Sequence, residues 1–174
     1  EMLRSLVGSE MCIRDRYRIR IDGGEAERIG EIPHKVESLD LLEDGRLLYA
    51  ARVPLYETQE GDEDYEVLDE IPFWANGVGF TNKRRRHLFV FDPETNKDEE
   101  LVTGTFNVAG FDVRGTRIVY AGKDFTDKAG LTDELWVLDL ATGARTCLSK
   151  DELELSGPRF LGDDRVVALG TVSY

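Results

Sequence analysis

The sequence predicts an all-β chain, a partial β-propeller of two near-complete four-stranded blades with a partial blade on either side, and three observations predict it. First, a turn followed by an apolar strand recurs as Glu43-Asp44-Gly45-Arg46-Leu47-Leu48-Tyr49-Ala50, as Val113-Arg114-Gly115-Thr116-Arg117-Ile118-Val119-Tyr120-Ala121 and as Leu161-Gly162-Asp163-Asp164-Arg165-Val166-Val167-Ala168. Second, a strand running into a hairpin turn recurs as Arg18-Ile19-Arg20-Ile21-Asp22-Gly23-Gly24, as Leu88-Phe89-Val90-Phe91-Asp92-Pro93-Glu94-Thr95-Asn96 and as Leu135-Trp136-Val137-Leu138-Asp139-Leu140-Ala141-Thr142-Gly143. Third, the two sets agree in spacing. Arg46, Arg117 and Arg165 lie 71 and 48 residues apart, Asp22, Asp92 and Asp139 lie 70 and 47 apart, and the unit is therefore close to 47 residues.

Residues 1–16 show neither strand alternation nor a helical stripe, and Ser5-Leu6-Val7-Gly8-Ser9-Glu10-Met11-Cys12-Ile13-Arg14-Asp15-Arg16 resembles a translated sequencing adaptor, so this segment is expected to be non-native. Residues 171–174 are expected to be a second scar of the same kind. Residues 17–35 read as the last strands of one blade, 36–104 and 105–150 as two blades, and 151–170 as the first strands of another. The longer first interval requires an insertion of about 23 residues, placed within 54–86, between a strand ending near Val53 and one starting at His87. At the turns, Asp accepts backbone N–H groups, while Asn96 or Gly143 supplies a positive φ. A single blade cannot bury both of its faces. Leu47, Tyr49, Leu88, Val90, Ile118, Tyr120, Leu135, Val137 and Val166 are therefore expected to form the layers between neighbours, and the isolated chain is expected to aggregate or partly unfold. The competing fold is a β-sandwich or meander with coincidental spacing.

With 174 residues, 41% hydrophobic, the chain is sized for one domain. Its net charge of −13 repels a phosphate backbone or an anionic membrane, which argues against nucleic-acid and membrane partners. No apolar run approaches the roughly 20 residues of a spanning helix. Cys12 and Cys147 are the only cysteines and His34 and His87 the only histidines, so no disulfide scaffold, metal site or cofactor is expected, and a reducing, cytoplasmic setting is. Asp92, Glu94, Asn96 and Asp98 are spaced like a calcium loop, but Lys97 stands where such a loop needs glycine and Thr103 where it needs glutamate, so a hairpin turn is expected.

The insertion is the least generic stretch: an acidic loop at 57–70, then Ile71-Pro72-Phe73-Trp74-Ala75-Asn76-Gly77-Val78-Gly79-Phe80, then Lys83-Arg84-Arg85-Arg86-His87. Aromatic residues beside glycines point to a loop that folds over something. The run from Asn76-Gly77-Val78-Gly79-Phe80 through Arg84-Arg85-Arg86-His87-Leu88-Phe89-Val90-Phe91-Asp92 resembles the prolyl oligopeptidase family of serine peptidases, and most closely its acylaminoacyl-peptidase-like branch. Those proteins carry an Asp-Gly-x-Gly-aromatic segment, a basic pair and a His-Leu-aromatic-Val strand. Leu48-Tyr49-Ala50-Ala51-Arg52-Val53 is similar to their preceding strand, and the resemblance covers about 36–169. Asn76 stands where Asp is usual, Arg86 where a small Ser is usual, and Leu42-Glu43-Asp44-Gly45 replaces a Ser-Pro-Asp-Gly turn.

The resemblance implies an N-terminal propeller that admits short or acylated peptides to a C-terminal α/β-hydrolase domain holding a Ser, Asp, His triad. That domain is the expected partner. No G-x-S-x-G elbow occurs in the 174 residues, so no catalytic residue is assigned and the chain alone is expected to be inactive. For substrate binding the candidates are Arg84, Arg85 and Arg86, facing a peptide carboxylate or a hydrolase-domain acid, and Glu63 and Glu66 with Asp62 and Asp64, facing a peptide amino terminus. A solvated charge run paired with the neighbouring acidic loop is the plainer reading of the arginines, and structural hydrogen bonding that of His87. Phe73, Trp74 and Phe80 read as packing against an adjacent blade. The rival function is a non-enzymatic, TolB-like or WD-repeat-like propeller that binds proteins, and a repeat array without ligand is a third.

Overall fold

The computed structural model describes residues 15–56 and 67–172. Every regular element among them is a strand: β1 (Asp15–Arg18), β2 (Glu27–Glu31), β3 (Val36–Leu41), β4 (Leu47–Pro54), β5 (Trp74–Ala75), β6 (Gly79–Phe80), β7 (Arg84–Asp92), β8 (Lys97–Val102), β9 (Phe106–Arg114), β10 (Arg117–Asp124), β11 (Asp133–Asp139), β12 (Arg145–Leu161) and β13 (Arg165–Thr171). All strand pairs are antiparallel. β1 and β2 form a small sheet, β3-β4-β7-β8 a second, β9 to β13 a third in sequence order, and β5-β6 a hairpin within the insertion.

The first signature lands at one structural position in each copy. β4, β10 and β13 each begin just after a tight turn and pair back onto the strand before it, Leu41 opposite Leu47, Arg114 opposite Arg117 and Leu161 opposite Arg165. The second signature matches in two copies. β7 and β11 close at Asp92 and Asp139, with Phe91 opposite Leu47 and Leu138 opposite Ile118. The first copy departs from the expectation. β1 stops at Arg18, and Ile19 and Ile21 are exposed in a loop clamped by Arg20 on Asp22 at 2.6–2.8 Å. Among the described residues no further strand lies against this stretch to bury its isoleucines. β1 also begins at Asp15, paired to Arg28, so the end of the segment read as an adaptor scar is part of a sheet.

Alternation along β4 and β7 gives the central sheet two buried faces. Leu48, Ala50, Leu88 and Val90 meet Val108, Ile118, Tyr120 and Leu138 of the following sheet. Leu47, Tyr49, Ala51, Phe89 and Phe91 pack on Ile32 and Ile29 of the preceding one. Leu47 and Ile118, at matching register, thus both face the sheet before their own. Of the other residues expected in these layers, Leu135, Val137 and Val166 are half-buried, and beyond Val166 the outer side chains Val167 and Leu169 are exposed. Tight approaches occur both between and within sheets. A Cβ on Gly30 would stand 2.4 Å from the Phe91 ring of the next sheet, and one on Gly122, beside the bulge in β10, 2.2 Å from the Asn107 carbonyl oxygen of the paired strand β9.

Two boundaries differ from the sequence reading. β7 starts at Arg84 rather than His87, because Arg84, Arg85 and Arg86 pair with Pro54, Val53 and Arg52, so the insertion runs over 55–83. β12 is one continuous strand that pairs with β11 up to Leu153 and with β13 from Glu154.

Candidate functional site: the insertion and its arginine anchor

In β7 the side chains of Arg84, Arg85 and Arg86 point to alternate sides. Arg84 is exposed, Arg85 fully buried and Arg86 half-buried. The Arg85 guanidinium donates to Glu70 through both terminal nitrogens at 2.7 and 3.1 Å, to the carbonyls of Thr105, Phe125 and Arg84 at 2.8–2.9 Å, and lies 3.7 Å over the Phe125 ring. All of its N–H groups are committed, so it is an anchor with no donor left for a ligand. Arg85 thus pairs with the acidic loop as expected but is buried rather than solvated, and it ties strand β7, the insertion, the β8–β9 connection and the loop after β10 into one knot.

Glu70 is the other half of the anchor. Burial alone pushes its carboxyl up, but the bonds from Arg85, the N–H of Lys83 at 2.7 Å and the charges of Arg85 and Lys83 outweigh that and hold it below the ordinary carboxylate range. Lys83 adopts φ 49, a left-handed conformation costing about 1–2 kcal/mol for a residue with a Cβ. Glu70 on its N–H and Asp69 on its ammonium at 3.1 Å offset that cost. Buried Asn82 accepts from the N–H groups of Asp69 and Glu70 and donates to the Val67 carbonyl. Ile71 exchanges backbone bonds with Asp127 and Ala129 at 2.8 Å. The sequence pointed to the acidic loop that ends at Glu70 as the partner of the arginines, without choosing Glu70 within it, and did not single out Asn82 or Phe125.

Arg86 reaches the opposite way. It contacts Glu37 at 3.0 Å, donates to Ser38 Oγ at 2.6 Å and to the carbonyls of Val108 and Ala109 at 3.2 Å. Its pKa is lowered by burial and partly restored by Glu37, which also holds Arg52. Arg159, not foreseen in the sequence, donates to the Phe111 carbonyl at 2.7 Å. The two guanidinium groups thereby cap carbonyls on the open edge of β9, and with Ser38, Asp40, Phe111 and Gly157 they line a cleft of about 260 Å³ between the first strands of successive sheets. Glu63, Glu66, Asp62 and Asp64 lie outside the described residues.

His87 is buried, with Nδ1 2.5 Å from Glu100 and Nε2 2.8 Å from the Gly104 carbonyl, a structural pairing. His34 packs on Phe89 and shares a second cleft, about 310 Å³, with His87 and Glu100. Asp92 accepts from Glu94 N and Thr95 Oγ1, bonds that keep its carboxyl below the ordinary value, and Asn96 takes φ 52, so this loop is a hairpin turn. No group of three or more possible metal ligands occurs among the described residues, and no helix there is long and apolar enough to cross a membrane. Phe73, Trp74 and Phe80, expected to pack on an adjacent blade, are instead roughly half exposed.

No family model and no curated protein matches the sequence. Solved structures do match. The acylaminoacyl peptidase of Pyrococcus horikoshii superposes with a TM-score of 0.61 at 18% identity, over 82% of this chain and 22% of that one. An acylaminoacyl peptidase in complex with Z-Gly-Gly-Phe-chloromethyl ketone gives 0.59 at 17% identity, with the same coverage. An ACO/RPE65 chimera gives 0.51 at 18% identity, over 90% of this chain and 34% of that one. The chain thus spans about a fifth of the length of the peptidases it matches. What it shares with them is a fold: consecutive antiparallel sheets stacked face to face, as in the peptidase's propeller.

Proposed function

We propose that this chain is the substrate-screening propeller portion of a serine peptidase of the prolyl oligopeptidase family, close to the acylaminoacyl peptidases, whose α/β-hydrolase domain cuts short or acylated peptides. The observation that carries the reading is the superposition of 82% of the chain on the Pyrococcus horikoshii enzyme, joined to the Gly77-Val78-Gly79-Phe80 and His87-Leu88-Phe89-Val90 motifs of the insertion and β7. The chimera shares the stacking at a lower score, so the motifs are what favour a peptidase.

In this role the sheets form a wall around an opening that admits extended peptides and rejects folded proteins. In this reading Arg86 and Arg159, which line the cleft between the first strands, would meet a peptide carboxylate on its way through. The covalent chemistry, an acyl-enzyme on a His-activated Ser beside an oxyanion hole, belongs to the hydrolase domain. The setting proposed is the cytoplasm. Reading the natural gene beyond Gly170 tests the proposal: further blades followed by a G-x-S-x-G segment are expected, and a frame that ends after its last blade contradicts it.

A further inference from the structure

We propose that the β5–β6 hairpin is the surface on which the propeller receives the hydrolase domain; this rests on the peptidase reading above. The hairpin is apolar where an acidic chain has least reason to be. From Ile71 to Asn82 no residue is charged, although the whole chain carries −13. Ile71, Phe73, Trp74, Val78 and Phe80 are each between 46% and 61% exposed, and Trp74 lies directly across from Phe80. An exposed patch of this kind marks a contact. The hairpin is also held firmly. The Arg85–Glu70 pair, Asn82, the Ile71 backbone bonds and the bond from Thr81 Oγ1 to the Pro72 carbonyl at 2.9 Å fix its base. A firm base presents the aromatic side chains without the ordering cost that a loose loop would incur on docking.

The occupant follows from the path of the chain. In the central sheet, β3 starts at Val36 opposite Ala51, and β8 ends at Val102 opposite Leu88, both toward the end where β4 stops and β7 starts. The next sheet repeats this, with Phe106 of β9 opposite Asp124 and Asp133 of β11 opposite Leu153. Each unit therefore enters and leaves at the end that carries the insertion. A domain continuing the chain after the last blade emerges on that same side, and the uncharged hairpin is the apolar surface waiting there.

The test uses the full natural enzyme with p-benzoylphenylalanine incorporated at Val78, and, separately, the Trp74→Ser/Phe80→Ser variant. Irradiation is expected to link position 78 to hydrolase-domain peptides of the same chain. In the variant, scattering is expected to show a larger radius of gyration at unchanged secondary structure, with cleavage of long unfolded polypeptides rising several-fold relative to short peptides. Links only to a second copy, with a drop in oligomeric mass in the variant, overturn the proposal in favour of self-association. Equal radius and equal selectivity, with no link to the hydrolase domain, also overturn it and leave the peptidase reading standing. A gene without a hydrolase domain overturns both.

Discussion

Arg85, in the strand that follows the insertion, anchors the insertion's base, and its neighbours show what a charge run conceals. In sequence, Arg84, Arg85 and Arg86 are indistinguishable, and a string of like charges carries no information about facing. Strand alternation then puts Arg84 and Arg86 on one face of β7 and Arg85 on the other, and of the two that share a face Arg84 is exposed while Arg86 reaches Ser38 and β9. Removing Arg85 as Arg85→Ala leaves Glu70 buried with Lys83 as its remaining cation, for which about 3 kcal/mol of stability, the low end of the loss on breaking a buried pair, is expected. Hydrogen exchange at the β7 amides in the parent protein reads this directly, and a change below about 1 kcal/mol, the scale of a surface pair, contradicts the burial described. Glu70 also sets a pH dependence. Its folded pKa is depressed, so its contribution is complete above the ordinary carboxylate value near 4.3 and is lost as pH falls through the lower folded value. Acid unfolding of Glu70→Gln is therefore expected to be flatter below about pH 4 than that of the unaltered protein, and superimposable curves contradict the assignment.

At the level of elements, most strands were legible because each begins or ends at a turn whose residues are chemically specified. Gly45, Gly115 and Gly162 open β4, β10 and β13 at φ 89, 59 and 71, and Asn96 and Gly143 follow β7 and β11 at φ 52 and 71. The first copy of the second signature misled because turn residues alone do not make a strand: Ile19 and Ile21 have the alternation but no sheet to lie on. The start of β7 was misplaced for the converse reason, since three arginines do not read as strand interior until Pro54, Val53 and Arg52 are seen beside them. The start of β12's second pairing was hidden because no turn marks it. Gly122 offers a test at this scale. Gly122→Ala places a methyl group against the Asn107 carbonyl and the Phe106 ring, and an overpacking loss of about 1–3 kcal/mol is expected, concentrated in exchange at the β9–β10 pair. Exchange indistinguishable from that of the unaltered protein contradicts the close approach.

At the scale of the whole molecule, the repeat in the sequence and the stacking of the sheets are one fact seen twice. The interval of 71 residues between Leu47 and Ile118, one repeat unit plus the insertion, returns as the two residues at the same register, each facing the sheet before. What sequence could not supply was the full anchoring of the insertion, because Glu70, Thr105 and Phe125 converge on Arg85 from segments up to 40 residues away, while Asn82 holds the backbone around Glu70. The chain as it stands, purified free of other hydrolases, is expected to leave a chromogenic acylated peptide uncut. Turnover that persists through repeated purification contradicts the assignment of chemistry to a separate domain. The most direct test of the account is an experimental structure of the full natural protein. Leu47 and Ile118 are expected in the second strands of two successive sheets arranged around one axis, and Val166 in the second strand of a third begun by the later half of β12, each facing the sheet before it, with Val167 and Leu169 covered by the next. Sheets packed as a two-layer sandwich, with those three residues at unrelated positions, would contradict it.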